Sequence, residues 1–270
     1  MKMPAWIDPF SNRLLSGAGL IPADEGRGPV VLMYHSISRG RKKPPDRWGV
    51  SEENFKKQLG LLKSKGWTTI CVRDLLMADP LPQRTAVITF DDGYADNFEY
   101  AFRYLADYKM CATWFIVSHK IGKPSRLDAM QLRHMAASGM EIGAHTRTHA
   151  RLPELDDAKI EDEVSGSKKD IEDMFGLPVT SFAYPYGLFN DACVEAVRRA
   201  GFKVACTTRT GWFGSETDLM RVRRVAVFPY DSLSVFARKV AFAGTDVRWR
   251  SMAGYFIDRI RSRVAGNGTR

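Results

Sequence analysis

Residues 85–93 read TAVITFDDG, an apolar run that ends in two adjacent acids and a glycine. An apolar run of this length predicts a buried strand, and Gly93 marks its end. Two carboxylates at the buried end of a strand are costly unless a group binds them, and a divalent cation is such a group. A cation ligated by one acid would leave the other free as a base. We therefore expect a metal site here, with nitrogen ligands from elsewhere in the chain.

Apolar and amphipathic segments alternate along most of the 270 residues. Strands are predicted near 29–34, 68–72, 85–90, 111–117, 140–144, 180–184, 202–207 and 223–227. Helices are predicted between Ser51 and Gly66 and near 95–107, 128–139, 156–175 and 190–200. Such alternation indicates a parallel sheet, and many units without a dinucleotide-binding glycine pattern favour a closed (β/α) barrel. Residues that follow the strands line the active site of such a barrel, and these positions are held by Asp91, Asp92, His145 and Tyr186.

Two histidines, His145 and His149, follow the predicted strand 140–144. Four residues apart on a helix, they would share one face and reach one metal ion. A lone H-x-x-x-H also fits a surface pair or two packed core histidines. Its position after a strand, like that of the acid pair, favours the metal-binding interpretation.

The segment 182–187 reads FAYPYG and again follows a predicted strand. Pro185 and Gly187 indicate a sharp turn, at which a backbone N–H can donate to a developing oxyanion. A structural turn flanked by packed tyrosines is the alternative.

TFDDG, HTxxH and YPYG in this order resemble the polysaccharide deacetylase family, carbohydrate esterase family 4, over roughly residues 30–240. The segment 31–37, VLMYHSI, is similar to the branch that contains the poly-N-acetylglucosamine deacetylases of exopolysaccharide pathways. The resemblance implies a single-domain α/β fold, a distorted (β/α)7 barrel. We divide the chain into an N-terminal extension (1–28), a deacetylase-like barrel (29–243) and a basic amphipathic C-terminal segment (244–270).

The resemblance also implies the chemistry. Asp92, His145 and His149 are then the ligands of one divalent metal ion, zinc. Asp91 is the general base that activates metal-bound water, and the backbone N–H of Tyr186 stabilises the oxyanion. The implied enzyme is a metal-dependent hydrolase that removes N-acetyl groups from an amino sugar in a polysaccharide or a lipid-linked glycan, in exopolysaccharide or glycolipid biosynthesis.

The chain departs from the family pattern in the third and fourth motifs. Ala183 stands where many members have an arginine that orients the catalytic acid. TRTGW at 208–212 occupies the region of the usual D-x-x-D-W motif. Arg224 could replace the missing arginine beside Asp91, although its charged neighbours leave that choice open.

The general acid must also come from another place, because His149 is the last histidine and no late L-x-H motif exists. His119 matches no family motif, and His134 lies within a predicted helix. His35 ends the first predicted strand, and in the resembling branch this histidine is expected to protonate the leaving amine. A strand-end histidine bonded to backbone is the alternative.

The net charge of +9 is concentrated at the C-terminus. Residues 234–270 carry eight basic and two acidic residues, a net of +6. Apolar residues recur there at helical spacing: Trp249, Met252, Phe256, Ile260 and Val264. The pattern fits a terminal helix packed on the barrel, or an interfacial helix that places residues 245–270 on anionic lipid. The nearly neutral remainder and the absence of a recognised motif argue against nucleic-acid binding.

Four cysteines without a C-x-x-C motif predict buried free thiols. The first residues lack the apolar segment of a secretory signal, and no stretch is long enough to span a bilayer. We expect a cytoplasmic protein, peripheral at the inner face of the cell membrane if the C-terminal segment binds lipid.

Two other functions stay open at this point. The same barrel could hydrolyse another non-peptide C–N bond, or it could be a non-catalytic glycan-binding or membrane-docked barrel. The intact set of acids and histidines favours a working enzyme.

Overall fold

The computed structural model describes residues 28–39, 48–76, 81, 84–214 and 217–247. Most of the predicted N-terminal extension lies outside this range, and so does the C-terminal segment from residue 248. The apolar residues that were predicted either to pack on the barrel or to lie on anionic lipid belong to that C-terminal segment. The three domain boundaries therefore stay predictions.

The described part of the chain contains ten strands and six α-helices. The strands are β1 (Val30–Tyr34), β2 (Ser36–Ser38), β3 (Gly49–Ser51), β4 (Thr68–Ile70), β5 (Thr85–Asp91), β6 (Thr113–Ile116), β7 (Glu141–Ala144), β8 (Ser181–Ala183), β9 (Val204–Cys206) and β10 (Val225–Ala226). The helices are α1 (Glu52–Ser64), α2 (Arg103–Tyr108), α3 (Ala129–Ala137), α4 (Asp157–Phe175), α5 (Asp191–Arg199) and α6 (Leu233–Phe242). The predicted elements are present, with ends shifted by a few residues.

Eight strands form one parallel sheet in the order β10-β1-β5-β6-β7-β8-β9, and β4 also pairs with β5. The sheet curls so that its two edges approach each other. A single bridge between Cys206 and Val222 links the β9 edge to the segment that leads into β10. This single domain, a curled parallel sheet with helices, confirms the predicted distorted (β/α)7 barrel.

β5 lies at the centre of the sheet because it pairs with β1, β4 and β6. All seven of its residues are buried, as expected for a parallel strand that is covered on both faces. Val87 packs inside the curl with Val31 and Phe115, whereas Ile88 packs toward the helices. Side chains alternate along a strand, so Asp91 also faces the inside of the curl.

Helix starts follow the sequence signals where the capping group is local. Ser51 Oγ accepts from the N–H of Asn54 at 3.3 Å, and Asp128 forms a capping box with Gln131. The predicted helix at 95–107 instead begins as a π-helical turn, Asn97–Phe102, before α2. Asn97 at its start is fully buried and donates to the carbonyl of His35 at 2.8 Å. This long-range bond is not encoded in local helix propensity.

The four cysteines are free thiols, as predicted. Three of them are buried, but Cys111 is partly exposed, so the expectation that all four are buried is wrong for this residue. Cys111 lies just before β6, at the edge of a surface cavity that was not visible in the sequence.

Candidate active site

Asp91 ends β5 inside the curl, where its carboxylate pairs with Arg224. Nη1 of Arg224 donates to Oδ1 of Asp91 at 2.7 Å, and Nη2 donates to Oδ2 at 2.8 Å. The guanidinium is fully buried and also donates to the Thr207 carbonyl at 2.9 Å and to Thr89 Oγ1 at 3.1 Å. This two-point pairing fixes the orientation of the carboxylate. The structure thus places Arg224 where the sequence left the choice of arginine open.

The pairing keeps Asp91 ionised. Burial by itself would raise the pKa of this carboxyl, but the charge of Arg224, together with His145 and the hydrogen bonds from Arg224, lowers the pKa to about 2. A buried carboxylate without such a partner would take up a proton instead. Asp91 therefore carries its negative charge throughout the neutral pH range.

Asp92 follows in a strained turn. Its φ of 73° lies in the left-handed region that non-glycine residues seldom adopt, and Gly93 has a φ of 65°. Arg126 donates to the Asp92 carbonyl at 2.8 Å, and the N–H of Leu127 donates to the Gly93 carbonyl at 2.9 Å. The surrounding loop therefore holds this conformation. In it, Asp91 faces Arg224 and the adjacent Asp92 faces the histidines.

His145 and His149 approach Asp92 from the loop after β7, not from a helix. Thr146 and His149 have φ values of 62° and 71°, and the N–H of His149 donates to Thr146 Oγ1 at 3.0 Å. The predicted shared helix face is wrong, because this loop turns twice through left-handed backbone. The two imidazole rings nevertheless meet, with centroids 4.9 Å apart.

Each histidine presents a nitrogen to Asp92. Nε2 of His149 lies 3.2 Å from Oδ1 of Asp92, and Nε2 of His145 lies 3.9 Å from the same atom. Nδ1 of His145 contacts the Ala183 carbonyl at 2.6 Å. A carbonyl only accepts, so Nδ1 donates to it and Nε2 is the ring nitrogen that faces Asp92. Burial, followed by the charge of His145, lowers the pKa of His149 to about 4, which keeps this ring neutral.

This cluster fits a metal ion. One ligand atom from each of the three residues lies within 4.8 Å of the others. Oδ1 of Asp92 is buried and accepts no hydrogen bond from any residue that the structure describes, and such atoms are costly unless they bind a ligand. One carboxylate oxygen and two imidazole nitrogens are a donor set suited to zinc and similar ions.

His35 lies at the end of β1, the strand next to β5. Its ring stacks on Trp48 with centroids 4.4 Å apart, and its buried Nδ1 has no hydrogen-bond partner among the described residues. The alternative of a histidine ring bonded to backbone therefore has no support at Nδ1. Burial lowers the pKa of His35, although the charges of Asp91 and Asp92 oppose this effect.

Tyr186 lies in the turn after β8, in the segment Pro185–Gly187. Its φ is 59°, and its half-exposed ring packs edge-on against His149 with centroids 4.6 Å apart. The structure therefore brings Tyr186 beside the cluster formed by Asp92, His145 and His149. The role of its backbone N–H stays a prediction.

The model of the family described as polysaccharide deacetylase matches residues 78–205. YxkH of Bacillus subtilis, which is named for the same family, is 32% identical over 210 residues, covering 76% of this chain and 74% of that protein. The chain belongs to the polysaccharide deacetylase family. The matched span includes Asp91, Asp92, both cluster histidines and Tyr186, whereas His35 and Arg224 lie outside it.

Other members of the family support the same assignment. The poly-beta-1,6-N-acetyl-D-glucosamine N-deacetylase of Staphylococcus aureus is 28% identical over 202 residues, covering 64% of this chain and 70% of that protein. BC0361, a polysaccharide deacetylase from Bacillus cereus, superposes with a TM-score of 0.71 at 29% identity over 78% of this chain and 68% of that one. IcaB from Ammonifex degensii superposes with a TM-score of 0.69 at 26% identity over 80% of this chain and 98% of that one.

Sequence reasoning missed the residues that hold His35 in this polysaccharide deacetylase. Asn97 donates to the His35 carbonyl, and its Oδ1 accepts from the indole N–H of Trp114 at 3.1 Å. Asp96 accepts from Ser36 Oγ at 2.5 Å and from the N–H of Ile37 at 3.2 Å. Their nearness to the acid pair, four and five residues after Asp92, was the available signal.

Two histidines of this deacetylase lie apart from the cluster. His119 is half exposed and lies 3.6 Å from Asp170. The His134 ring packs against Phe98 and Phe102, as expected for a residue on α3. Among the described residues, no helix is long and apolar enough to cross a membrane.

Proposed function

We propose that this polysaccharide deacetylase removes N-acetyl groups from an amino sugar in a polysaccharide or a lipid-linked glycan, with one zinc ion held by Asp92, His145 and His149. The observation that carries the proposal is the buried Asp92 Oδ1, which accepts no described hydrogen bond and faces two imidazole nitrogens. The name of the Staphylococcus aureus relative supports an N-acetylated glycan as the substrate class. When bound, the ion would polarise the acetamide carbonyl and acidify a water molecule.

Asp91 orients the attacking water. The Arg224 pair holds its carboxylate in one orientation and keeps it ionised. A carboxylate with a pKa of about 2 accepts a hydrogen bond readily but holds a proton only briefly. Asp91 therefore positions the water, takes its proton as the new C–O bond forms, and passes that proton on.

His35 completes the proton transfer. Its partly buried ring follows β1, close enough to Asp91 and Asp92 for their charges to raise its pKa against the effect of burial. A proton on this imidazole is therefore favoured by the acids and disfavoured by desolvation, so the ring readily donates it to the leaving amine. The N–H of Tyr186 would donate to the oxyanion as the carbonyl carbon becomes tetrahedral.

Two isosteric variants test the division of the acid pair. Asp92→Asn is expected to lose bound zinc and activity together, whereas Asp91→Asn is expected to retain zinc and lose turnover. Zinc would be measured by elemental analysis, and activity as acetate released from oligomers of β-1,6-linked N-acetylglucosamine. The reverse pattern would exchange the roles of the two acids.

Chelation provides the matching test on the unmodified protein. Removal of the ion should abolish acetate release, and zinc should restore it. Activity that persists without the ion would reject metal-dependent deacetylation. A zinc-loaded protein that binds the glycan without releasing acetate would support a non-catalytic barrel.

We also propose that residues 245–270 contact anionic lipid at the cytoplasmic face of the membrane. The support is the charge asymmetry of the sequence, because a basic amphipathic segment is attracted to a negatively charged leaflet. Sedimentation with anionic and with neutral vesicles should show pelleting with anionic vesicles that is lost when residues 245–270 are removed. Equal pelleting of the two proteins would reject the contact.

A further inference from the structure

Two cysteines lie side by side at the end of the barrel opposite the metal cluster. Cys71 follows β4, and its Sγ donates to the Ala112 carbonyl at 3.5 Å. Cys111 precedes β6, and its Sγ and N–H donate to the carbonyl and the Oγ1 of Thr69 at 3.3 and 2.9 Å. These bonds align the two segments and bring the two thiols close enough for each to shift the pKa of the other.

The two thiols differ in access and in acidity. Cys71 is 1% exposed, whereas Cys111 is partly exposed and lines an open cavity of about 670 Å³ with Arg103 and Lys109. Interaction with the Cys71 side chain lowers the pKa of Cys111 to about 7, despite partial burial, and the same interaction, together with burial, raises the pKa of Cys71. An accessible thiolate beside a shielded second thiol is the arrangement of a cysteine that is oxidised first and then resolved by its neighbour.

We propose that Cys71 and Cys111 are a preorganised dithiol that a peroxide converts reversibly to a disulfide. The Cys111 thiolate attacks the peroxide, the O–O bond breaks, and a sulfenic acid forms as hydroxide leaves and is protonated. Cys71 then loses its proton and attacks the Cys111 sulfur, so the S–S bond forms and water leaves. Two thiols lose two electrons and two protons, and one hydrogen peroxide becomes two waters.

The new bond would close a loop of the chain that contains β5. β4 pairs with residues 85–87 of β5 and β6 with residues 89–91, so the disulfide would join the end of β4 to the start of β6 alongside the strand that carries the acid pair. Because the segments are already aligned in the reduced protein, the bond should form without moving the barrel. It would then restrict mainly the unfolded chain and raise the melting temperature, by roughly 5–10 °C.

Peptide mapping of the full chain tests the proposal. Trypsin cleaves after Lys65, Arg73, Lys109 and Lys120, so the two cysteines fall in the separate peptides 66–73 and 110–120. After treatment with equimolar hydrogen peroxide and alkylation of the remaining thiols, mass spectrometry should find these peptides linked. Dithiothreitol should separate them. Oxidation of Cys111 to the sulfinic acid without linkage, or linkage between two copies of the chain, would overturn the proposal.

Matched variants separate this site from general thiol oxidation. Cys193→Ser, at a buried cysteine on α5, should form the linked peptide like the parent, whereas Cys111→Ser should not. Cys71→Ser should leave an unresolved sulfenic acid on Cys111 that reacts with dimedone. A melting temperature that falls on oxidation would overturn the claim that the dithiol is preorganised.

Discussion

The two ends of the barrel each hold a carboxylate with a buried oxygen, but the surroundings of the two carboxylates differ. Glu141, at the start of β7, accepts from Ser181 Oγ at 2.6 Å, from Thr113 Oγ1 at 2.7 Å and from the N–H of Arg73 at 3.0 Å. Asp92, after the end of β5, keeps a buried Oδ1 without a described hydrogen bond. A satisfied carboxylate ties strands together, and an unsatisfied one indicates a place for a ligand.

The two ends of the barrel also differ in backbone conformation. Eight described residues other than glycine have positive φ. Four of them belong to the loops of the candidate active site: Asp92, Thr146, His149 and Tyr186. Because this conformation is costly for such residues, its concentration at one end points to a functional constraint. Stability and chemistry are therefore largely separated along the barrel axis, and the following predictions test that separation.

The largest effect is expected at His35. His35→Ala should lower kcat by roughly 10²–10⁴ because the leaving amine loses its proton donor, whereas bound zinc should not change. Acetate release and elemental analysis measure the two quantities. His119→Ala is the matched control, since that histidine is half exposed and lies outside the cluster. Full activity in His35→Ala would remove this residue from the reaction.

Arg224 forms a buried ion pair with Asp91 at the active end. Arg224→Gln should lower the free energy of unfolding by roughly 3–5 kcal/mol, because Asp91 would be left without its buried counter-charge. Denaturant unfolding of the metal-free protein measures this loss. Arg223→Gln, at the exposed neighbouring arginine, should be nearly neutral. If the two variants lost the same free energy of unfolding, the Arg224–Asp91 pair would contribute no more to stability than an exposed arginine does.

The same pair predicts how stability depends on pH. Folding lowers the pKa of Asp91 from 3.8 to about 2, so the unfolded chain binds this proton more readily. The resulting stabilisation, about 2–3 kcal/mol, is complete above about pH 5, decreases as the pH falls, and is absent below about pH 2. Unfolding of metal-free protein across this range should show a smaller loss for Asp91→Asn. If the free energy of unfolding of the two proteins depended on pH in the same way, the lowered pKa of Asp91 would be contradicted.

The smallest effect is expected at the opposite end. Glu141→Gln should lower the free energy of unfolding by about 1–3 kcal/mol, because an amide nitrogen replaces one acceptor of a buried network. The kcat of the folded fraction should stay unchanged, in contrast to His35→Ala. Unfolding curves and initial rates at a temperature where both proteins are folded provide the comparison. A large fall in kcat would show that the two ends are coupled.

The fold was predictable because its signals are local. The apolar run at 85–91 and the alternation of strands with helices are sufficient to indicate a parallel barrel. The joint motifs also predicted which residues meet at the metal cluster. The backbone that brings them together was not predictable, since the H-x-x-x-H spacing fits a helix and the structure has a loop with two left-handed residues.

Contacts between residues that are distant in the sequence were the second feature that could not be predicted. Arg224 reaches Asp91 across 133 positions, and nothing in the local sequence distinguishes it from Arg223 or Arg221. The burial of Arg224 inside the closing edge of the barrel makes the difference. Asn97 was missed for a related reason, because its two partners are distant in the sequence: His35 follows β1, and Trp114 lies on β6.

The position of Arg224 also links chemistry to the order of synthesis. All three cluster residues have been synthesised by residue 149, whereas Arg224 is added 75 positions later and lies in the segment that joins the two edges of the sheet. Until that segment arrives, the barrel remains open and Asp91 has no guanidinium beside it. Under the proposed function, the three metal-binding residues of a growing chain precede the counter-charge of Asp91, so this carboxylate becomes oriented only once the segment with Arg224 has been added.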